Sequence, residues 1–498
     1  MEKRKSILLV TADCLRADHV SFMGYARPTS PFLDSLAQES FVFPTAIVAG
    51  APTFYSFPAI LASRYPLALG RDVVGLGPDE PTLASVAQKA GYATASFGAA
   101  NPYVSSRFGY DRGFDTFQDF LQEEDLLPEQ LTTPVGTGWT SRVNRVLRNA
   151  APKWGPVGDL YEELYFRYCQ CVSAAPTSLD SLRRYPSADV VVDQACAWLS
   201  TSSAKPFFLW LHLMDPHGPY YPKEQALTLM GDGPVPSNRA RYLNSYWNRG
   251  DLAVRRFARY RDEVVRLYDA GIRWVDEQVR RLIGTLRRMG LWDDCIFAFT
   301  ADHGEEFLDH GGRFHPPSRL TEELIHVPLL LRAPGAIKGQ LNRSPFSLIH
   351  LAPTILDAAQ LPIPSEFMGR SYKNELVNGG ELDGVTISES VARCSNPMRR
   401  ENRMGSRVLS IRESRFKLLL QFEPKAEFLY DLEEDPGENH PIAASEQKAA
   451  RRRLLEIARE HLHSSHSGRN LKPRLQQRLR DLRIEWQIPA EKASTKAS

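Results

Sequence analysis

"SILLVTADCLRADH", residues 6–19, is the stretch whose reading decides the fold. Ser6 to Thr11 is an apolar run that predicts a strand buried in a sheet. Behind it come Asp13, Cys14, Asp18 and His19, and the same arrangement recurs twice further along the chain. "PFFLWLHL", residues 206–213, is followed by Asp215 and His217, and "CIFAFT", residues 295–300, by Asp302 and His303. Helical periodicity separates these strands, at Pro31 to Ser40, at Thr82 to Ala90, which Gly91 ends before a strand at Tyr92 to Phe97, and over the long amphipathic run Arg261 to Met289. Val327 to Leu331 reads as one further buried strand, closed by the turn Arg332-Ala333-Pro334-Gly335. Continuous apolar strands alternating with helices predict an α/β chain with a mainly parallel sheet covered on both faces, and ligands of such sheets bind beyond the carboxyl ends of the strands.

One acid after a strand is usually a turn or capping residue. Three strands that each end in Asp or in Asp and His point instead to hard oxygen and imidazole donors gathered for a divalent cation. A further segment, "GAPTFYSFPAILASRYP", residues 50–66, delivers Thr53 and Ser56 to the front of an apolar helix. A hydroxyl there is either a helix cap or a nucleophile assisted by the helix dipole.

Composition narrows the partners. With 498 residues, 43% apolar and 24% charged, and a formal net charge of +2, the chain has material for a large core and no global field to draw in nucleic acid or an anionic membrane. No segment approaches the roughly 18 apolar residues of a membrane span, and the first apolar run is too short for a signal-peptide core. Six cysteines without zinc spacing predict reduced thiols and a cytoplasmic location.

The segments "ILLVTADCLRADHVSFMGYARPTSPFLDSLAQES", "SRYP", "TLASVAQKAGYATASFG", "YDRGFD", "MDPHGPY", "TADHGEEFLDHG", "LIHVPLLLRAPG", "HLAPTILDAAQLPIP" and "FLYDLEEDPGE" stand in one order from about Ser6 to Asn439. In that order the chain resembles the sulfatase family of the alkaline phosphatase superfamily. The resemblance implies an alkaline-phosphatase-like α/β sandwich, spanning 1–365 with insertions at about 118–185 and 223–248. It further implies a smaller α+β C-terminal subdomain at 366–440 with a small antiparallel sheet. Basic helices at 441–485, docked through Leu454, Leu455 and Ile457, and a disordered tail at 486–498 would complete the chain. The aromatics Trp139, Trp154, Tyr161, Tyr165 and Tyr168 of the first insertion read as packing or lid residues, and Lys223 to Asn248 as a variable loop.

Carried over by position, the resemblance makes Asp13, Asp302 and His303 metal ligands, with Thr53 at the nucleophile position and also on the metal. His217 would lie beside the ester oxygens, His315 would hydrogen-bond the anion or protonate the leaving group, Asn101 would steady the oxyanion, and Arg64 would support its loop. One ion is expected, calcium, magnesium or manganese ahead of zinc, although His212, Asp215, His217, His310 and His315 could supply parts of a second site.

Two departures bear on the chemistry. Thr53-Phe54-Tyr55-Ser56-Phe57 lacks both the oxidisable residue and the arginine of the formylglycine motif, so no formylglycine is expected; Cys14 replaces the second acid of the usual Asp-Asp pair. A formylglycine hydrate expels sulfate by collapsing to the aldehyde, whereas a threonine ester must be resolved by a second in-line attack, which phosphoryl groups tolerate well. The expected function is hydrolysis of small sulfate or phosphate esters, glycan- or lipid-linked forms among them, through a metal-activated Thr53. The alternatives are a transferase moving a phosphoethanolamine-type group to an acceptor alcohol, and a degenerate member that only binds anions.

Overall fold

Ser6–Ala12 carries no charged side chain and is buried at every residue, as are Phe207–Leu213 and Cys295–Ala301. The computed structural model describes residues 4–122, 163–170, 176–201, 206–250, 252–334, 341–380, 382–443 and 445–466. In it these three strands lie side by side at the centre of a seven-stranded sheet. Across the sheet the order is Phe41–Val42, Leu329–Arg332, Cys295–Ala301, Ser6–Ala12, Phe207–Leu213, Ala93–Gly98 and Thr116–Gln118. The last five run parallel, and Leu329–Arg332 runs antiparallel to both of its neighbours. The mainly parallel α/β sheet expected from the apolar runs is present.

Strands buried on both faces need two covering layers. Helices Pro31–Ala37 and Ala188–Thr201 pack along the long helix Arg261–Arg288 to make one; Thr53–Ala62, Leu83–Lys89 and Leu351–Ala358 pack together as the other. The long helix turns Val264, Leu267, Tyr268, Val275, Val279 and Leu282 inward, the stripe its periodicity predicted.

Two expectations change. The run Val327 to Leu331 is two strands, because Pro328 has no N–H to give to a ladder: His326–Val327 pairs with Ala46–Ile47 in a separate three-stranded sheet, and Leu329–Arg332 enters the main one. Lys223 to Asn248, read as a loop, folds into helices Glu224–Leu229 and Ser237–Trp247, which bury Leu227, Leu243, Tyr246 and Trp247. Most of the insertion at 118–185, including Trp139, Trp154 and Tyr161, lies outside the described residues, as do residues 467–498.

After the main sheet come the antiparallel strands Val385–Val391, Arg407–Glu413, Phe416–Phe422 and Lys425–Asp431. Helix Lys448–His466 packs on them, with Leu454 and Ile457 buried against Leu409, Ile411 and Leu418 and Leu455 partly buried beside them. This sheet braces the loop before Thr53: Glu389 N donates to Ala49 O at 2.9 Å, and Ser388 Oγ donates to Val48 O at 2.5 Å. At Gly50 a Cβ would lie 2.4 Å from the Glu389 carbonyl oxygen, so only glycine lets the two segments meet. The buried Lys417 ties the sheet to the main body through Glu322 at 3.0 Å and Glu438 at 2.8 Å. Replacing one partner of such a group strands the other charges in the interior. Lys417→Met is expected to lower the unfolding free energy by ~3–5 kcal/mol in a denaturant titration, and an unchanged midpoint would show that the cluster contributes nothing.

Candidate active site and metal centre

The register of the central strand assembles the site. Ala12 pairs with Leu213 on one side and Ala301 on the other, so Asp13 and Asp302 leave the sheet at the same height on neighbouring strands, about 5 Å apart by strand spacing. Asp13 stays on the ladder through its N–H to Leu213 O at 2.8 Å. The chain then turns sharply at Cys14, whose φ of 58° is left-handed. Tyr268 of the long helix holds that turn, its hydroxyl donating to Cys14 O at 2.7 Å and accepting from Arg16 N at 2.9 Å.

Each carboxylate is anchored by one oxygen. Asp13 Oδ2 accepts from Asn101 Nδ2 at 2.7 Å and faces His212 Nε2 at 3.2 Å; Asp302 Oδ1 accepts from His303 N at 2.9 Å and Cys14 N at 3.3 Å. The other oxygens, Asp13 Oδ1 and Asp302 Oδ2, are buried and have no hydrogen-bond partner. They lie 3.8 and 3.6 Å from His303 Nε2, which is also 3.1 Å from Thr53 Oγ1. Because His303 Nδ1 sits 2.8 Å from the Gly304 carbonyl, which can only accept, the proton belongs on Nδ1 and the Nε2 lone pair faces the two carboxylates. Two orphaned carboxylate oxygens and a hydroxyl thus face one imidazole nitrogen, and ligand atoms of Asp13, His212 and Asp302 lie within 4.8 Å of one another, as do those of Asp13, Cys14 and His303; oxygen and imidazole donors of this kind fit a divalent cation.

Electrostatics agree. Burial alone would raise Asp13, but His217, His212 and His303 hold it well below the usual carboxylate range, while burial and the charge of Asp13 push Asp302 up. Two buried acids with oxygens within 4.8 Å of each other cannot both ionise at no cost without a cation.

Thr53, 4% exposed, opens helix Thr53–Ala62. Ser56 Oγ is turned back onto Thr53 O at 3.1 Å, which leaves Thr53 as the hydroxyl of the site. Outside it stand the partly exposed His217 and His315, their rings 5.3 Å apart, with His315 4.7 Å from His303. His217 Nδ1 lies 2.5 Å from Gly218 O and 3.0 Å from Tyr185 Oη, so Nε2 carries its lone pair. His315 Nδ1 is 3.5 Å from Cys14 Sγ and 3.4 Å from Glu305 Oε1. Burial opposes charging of both rings; it prevails at His217, whereas Glu305 raises His315.

Asp13, Asp302, His303, Thr53, His217 and His315 are therefore brought together. Asn101 is there too, but its amide supports Asp13 while Tyr103 N occupies its Oδ1 at 3.0 Å. Asp215 is not part of the centre: Arg183 at 2.7 Å and Ala188 N at 2.8 Å consume its oxygens. His310 belongs to a different cluster, with Nδ1 2.9 Å from Glu323. Arg64 pairs with Glu80 and donates to Gly75 O at 2.8 Å, holding its loop. Sequence reasoning missed Glu305 and Tyr268. Glu305 lay in plain view three residues beyond Asp302, but the adjacent acids of "GEE" point oppositely, Glu305 to His315 and Glu306 to Arg319, and no pattern separated them.

A family model of sulfatases matches residues 5–361. The chain belongs to the sulfatase family. Residues 313–464 also match the model described as N-sulphoglucosamine sulphohydrolase, C-terminal. The endo-4-O-sulfatase of Bacteroides thetaiotaomicron is 25% identical over 467 residues, 86% of this chain and 84% of that protein. The N-acetylglucosamine-6-O-sulfatase of the same organism is 28% identical over 218 residues, 43% of this chain, and the chain spans only 38% of that protein. Among solved structures, the phosphonate monoester hydrolase of Agrobacterium radiobacter shares the fold, with a TM-score of 0.65 at 22% identity over 93% of this chain and 96% of that one. This sulfatase-family member is an ester hydrolase of the alkaline phosphatase superfamily. Among the described residues no helix is long and apolar enough to cross a membrane.

His310 gives this protein a pH signature apart from catalysis. Its hydrogen bond to Glu323 raises it from an ordinary 6.5 to about 9, so its stabilising contribution is complete below pH 6.5 and lost as pH rises through about 9. Melting curves of the wild type should lose more stability over that interval than those of His310→Gln, and parallel losses would remove His310 as the cause.

Proposed function

We propose that this sulfatase-family hydrolase is metal-dependent and uses Thr53 as its nucleophile, with phosphate monoesters or diesters preferred to sulfate esters. The observation that carries the reading is the placement of Thr53 Oγ1 3.1 Å from the same His303 nitrogen that both orphaned carboxylate oxygens face. Asp13, Asp302, His303 and Thr53 would hold one divalent cation; calcium, magnesium or manganese suits the oxygen-rich set. When bound, such a cation neutralises a non-bridging ester oxygen and lowers the proton affinity of the Thr53 hydroxyl.

The chain's own groups do the remainder. Thr53 Oγ1 gives its proton up to solvent and bonds to the phosphorus or sulfur while the bond to the leaving oxygen breaks, and that oxygen takes a proton from His315, whose neighbour Glu305 favours its charged form. His217 stands beside it, the two rings 5.3 Å apart. Asn101 and His212 keep Asp13 aimed. Water then attacks the transferred atom in line, the bond to Thr53 breaks, and the hydroxyl is restored. A threonine ester has no aldehyde exit, which is why phosphoryl transfer suits this site better than sulfuryl transfer. The name of one relative, N-acetylglucosamine-6-O-sulfatase, refers to a sulfate ester on a sugar and supports a glycan-linked anionic ester as the substrate; a lipid-linked ester is the other form considered. Because the second attack accepts any hydroxyl, transfer to an acceptor alcohol is the second reading, and it would show as product whose formation depends on added alcohol.

Thr53→Ala should cut kcat by on the order of a thousandfold or more on aryl phosphates, phosphodiesters and aryl sulfates alike, while bound metal and melting temperature persist. Near-normal turnover of any of these esters by the variant would remove Thr53 from the mechanism.

A further inference from the structure

Glu389 lies on Val385–Val391, the edge strand of the C-terminal sheet, and the mechanism above makes no use of its side chain. It meets the chain on both sides of the helix that Thr53 opens. Before the helix, Glu389 N donates to Ala49 O at 2.9 Å, and the Glu389 carbonyl oxygen packs on Gly50 so closely that only a glycine fits. After the helix, Leu67 N donates to Glu389 Oε1 at 2.8 Å. Residues 49–67 therefore carry the nucleophile between two points that one residue holds together.

The carboxylate is 0% exposed, and a buried carboxylate stays ionised only through the donors and charges around it. Burial opposes the charge of Glu389, but His461, Arg407 and the Leu67 N–H hold it below the usual carboxylate range. On Oε2, His461 Nε2 stands at 3.1 Å and Arg407 Nη1 at 3.6 Å. Because an ionised carboxylate only accepts, Nε2 of His461 carries the proton. His461 belongs to helix Lys448–His466, is itself buried, and sets its ring edge-on to that of Tyr65 at 4.5 Å. The C-terminal helix thus reaches the nucleophile's segment twice, through packing on Tyr65 and through a hydrogen bond to Glu389. The far end of helix Thr53–Ala62 has anchors of its own, with Ser63 Oγ donating to Ile349 O at 2.6 Å and Arg64 to Gly75 O at 2.8 Å. No side chain caps its start, so the place at which Thr53 begins the helix follows from the contacts at Ala49 and Gly50.

We propose that Glu389 and His461 are positioning residues for Thr53: together they lock the edge strand of the small sheet against both ends of the nucleophile's segment and so fix how far Oγ1 reaches toward the ester. The inference rests on the reading of Thr53 as the nucleophile. It makes the C-terminal helix a determinant of turnover rather than of anion binding. A reacting atom displaced by ~1 Å costs on the order of a hundredfold in rate, whereas Asp13, Asp302 and His303, the groups that would hold the cation, stand at strand ends of the main sheet and do not depend on this clamp.

The test separates turnover from binding in the full chain, with inorganic phosphate as the competing anion. On the aryl phosphate or aryl sulfate that the wild type turns over, His461→Ala should lower kcat by about tenfold to a hundredfold and leave both the inhibition constant of phosphate and the bound metal unchanged. His461→Gln, which restores a donor toward Glu389 Oε2, should recover most of that rate. Hydrogen exchange in peptides covering residues 49–67 should quicken in His461→Ala, with that of residues 6–12 unaltered. Should His461→Ala not fold, His461→Phe, which keeps the packing on Tyr65 and loses the donor, is held to the same readings. Wild-type kcat in a folded variant without the donor would overturn the proposal, as would phosphate inhibition that weakens in parallel with kcat, or a His461→Gln no faster than His461→Ala. Normal turnover by Thr53→Ala would instead overturn the nucleophile reading beneath it.

Discussion

Two buried carboxylates with no counter-charge between them govern this structure. Asp13 Oδ1 and Asp302 Oδ2 are shut away from water, lack hydrogen-bond partners and face one imidazole nitrogen. An interior that has arranged a partner for the other oxygen of each acid has left these two for something else, and a cation is the group whose binding energy answers their desolvation.

Much of the surrounding architecture maintains that confrontation. Parallel pairing of Ser6–Ala12 with both neighbours brings the acids to one level. Tyr268 secures the left-handed turn at Cys14, and Asn101 and His212 hold Asp13 from behind. On the opposite side, the edge strand of the small sheet leans on Ala49 and Gly50, and so sets where helix Thr53–Ala62 begins. The C-terminal sheet is thus part of the site's geometry although it contributes no group to the chemistry proposed.

The main sheet was legible because its strands are continuous apolar runs whose length and spacing admit few other structures, and because strand ends in such sheets are where ligands gather. That rule pointed to Asp13, Asp302 and His303, and equally to Asp215 and His217. What was not legible depended on contacts between distant segments. Asp215 occupies an equivalent strand end yet is consumed by Arg183, and nothing local distinguishes it from Asp13. Asn101 was expected against substrate and instead faces a carboxylate. Pro328 did announce the split of the Val327 to Leu331 run, since a missing N–H interrupts any ladder, but length and hydrophobicity masked it.

Diffraction from crystals grown with manganese, recorded where its anomalous signal is strong, tests the central claim most directly. An anomalous peak is expected within bonding distance of Asp13 Oδ1, Asp302 Oδ2 and His303 Nε2, with Thr53 Oγ1 turned toward it. A peak elsewhere, or none while those carboxylates remain unpartnered, would contradict it.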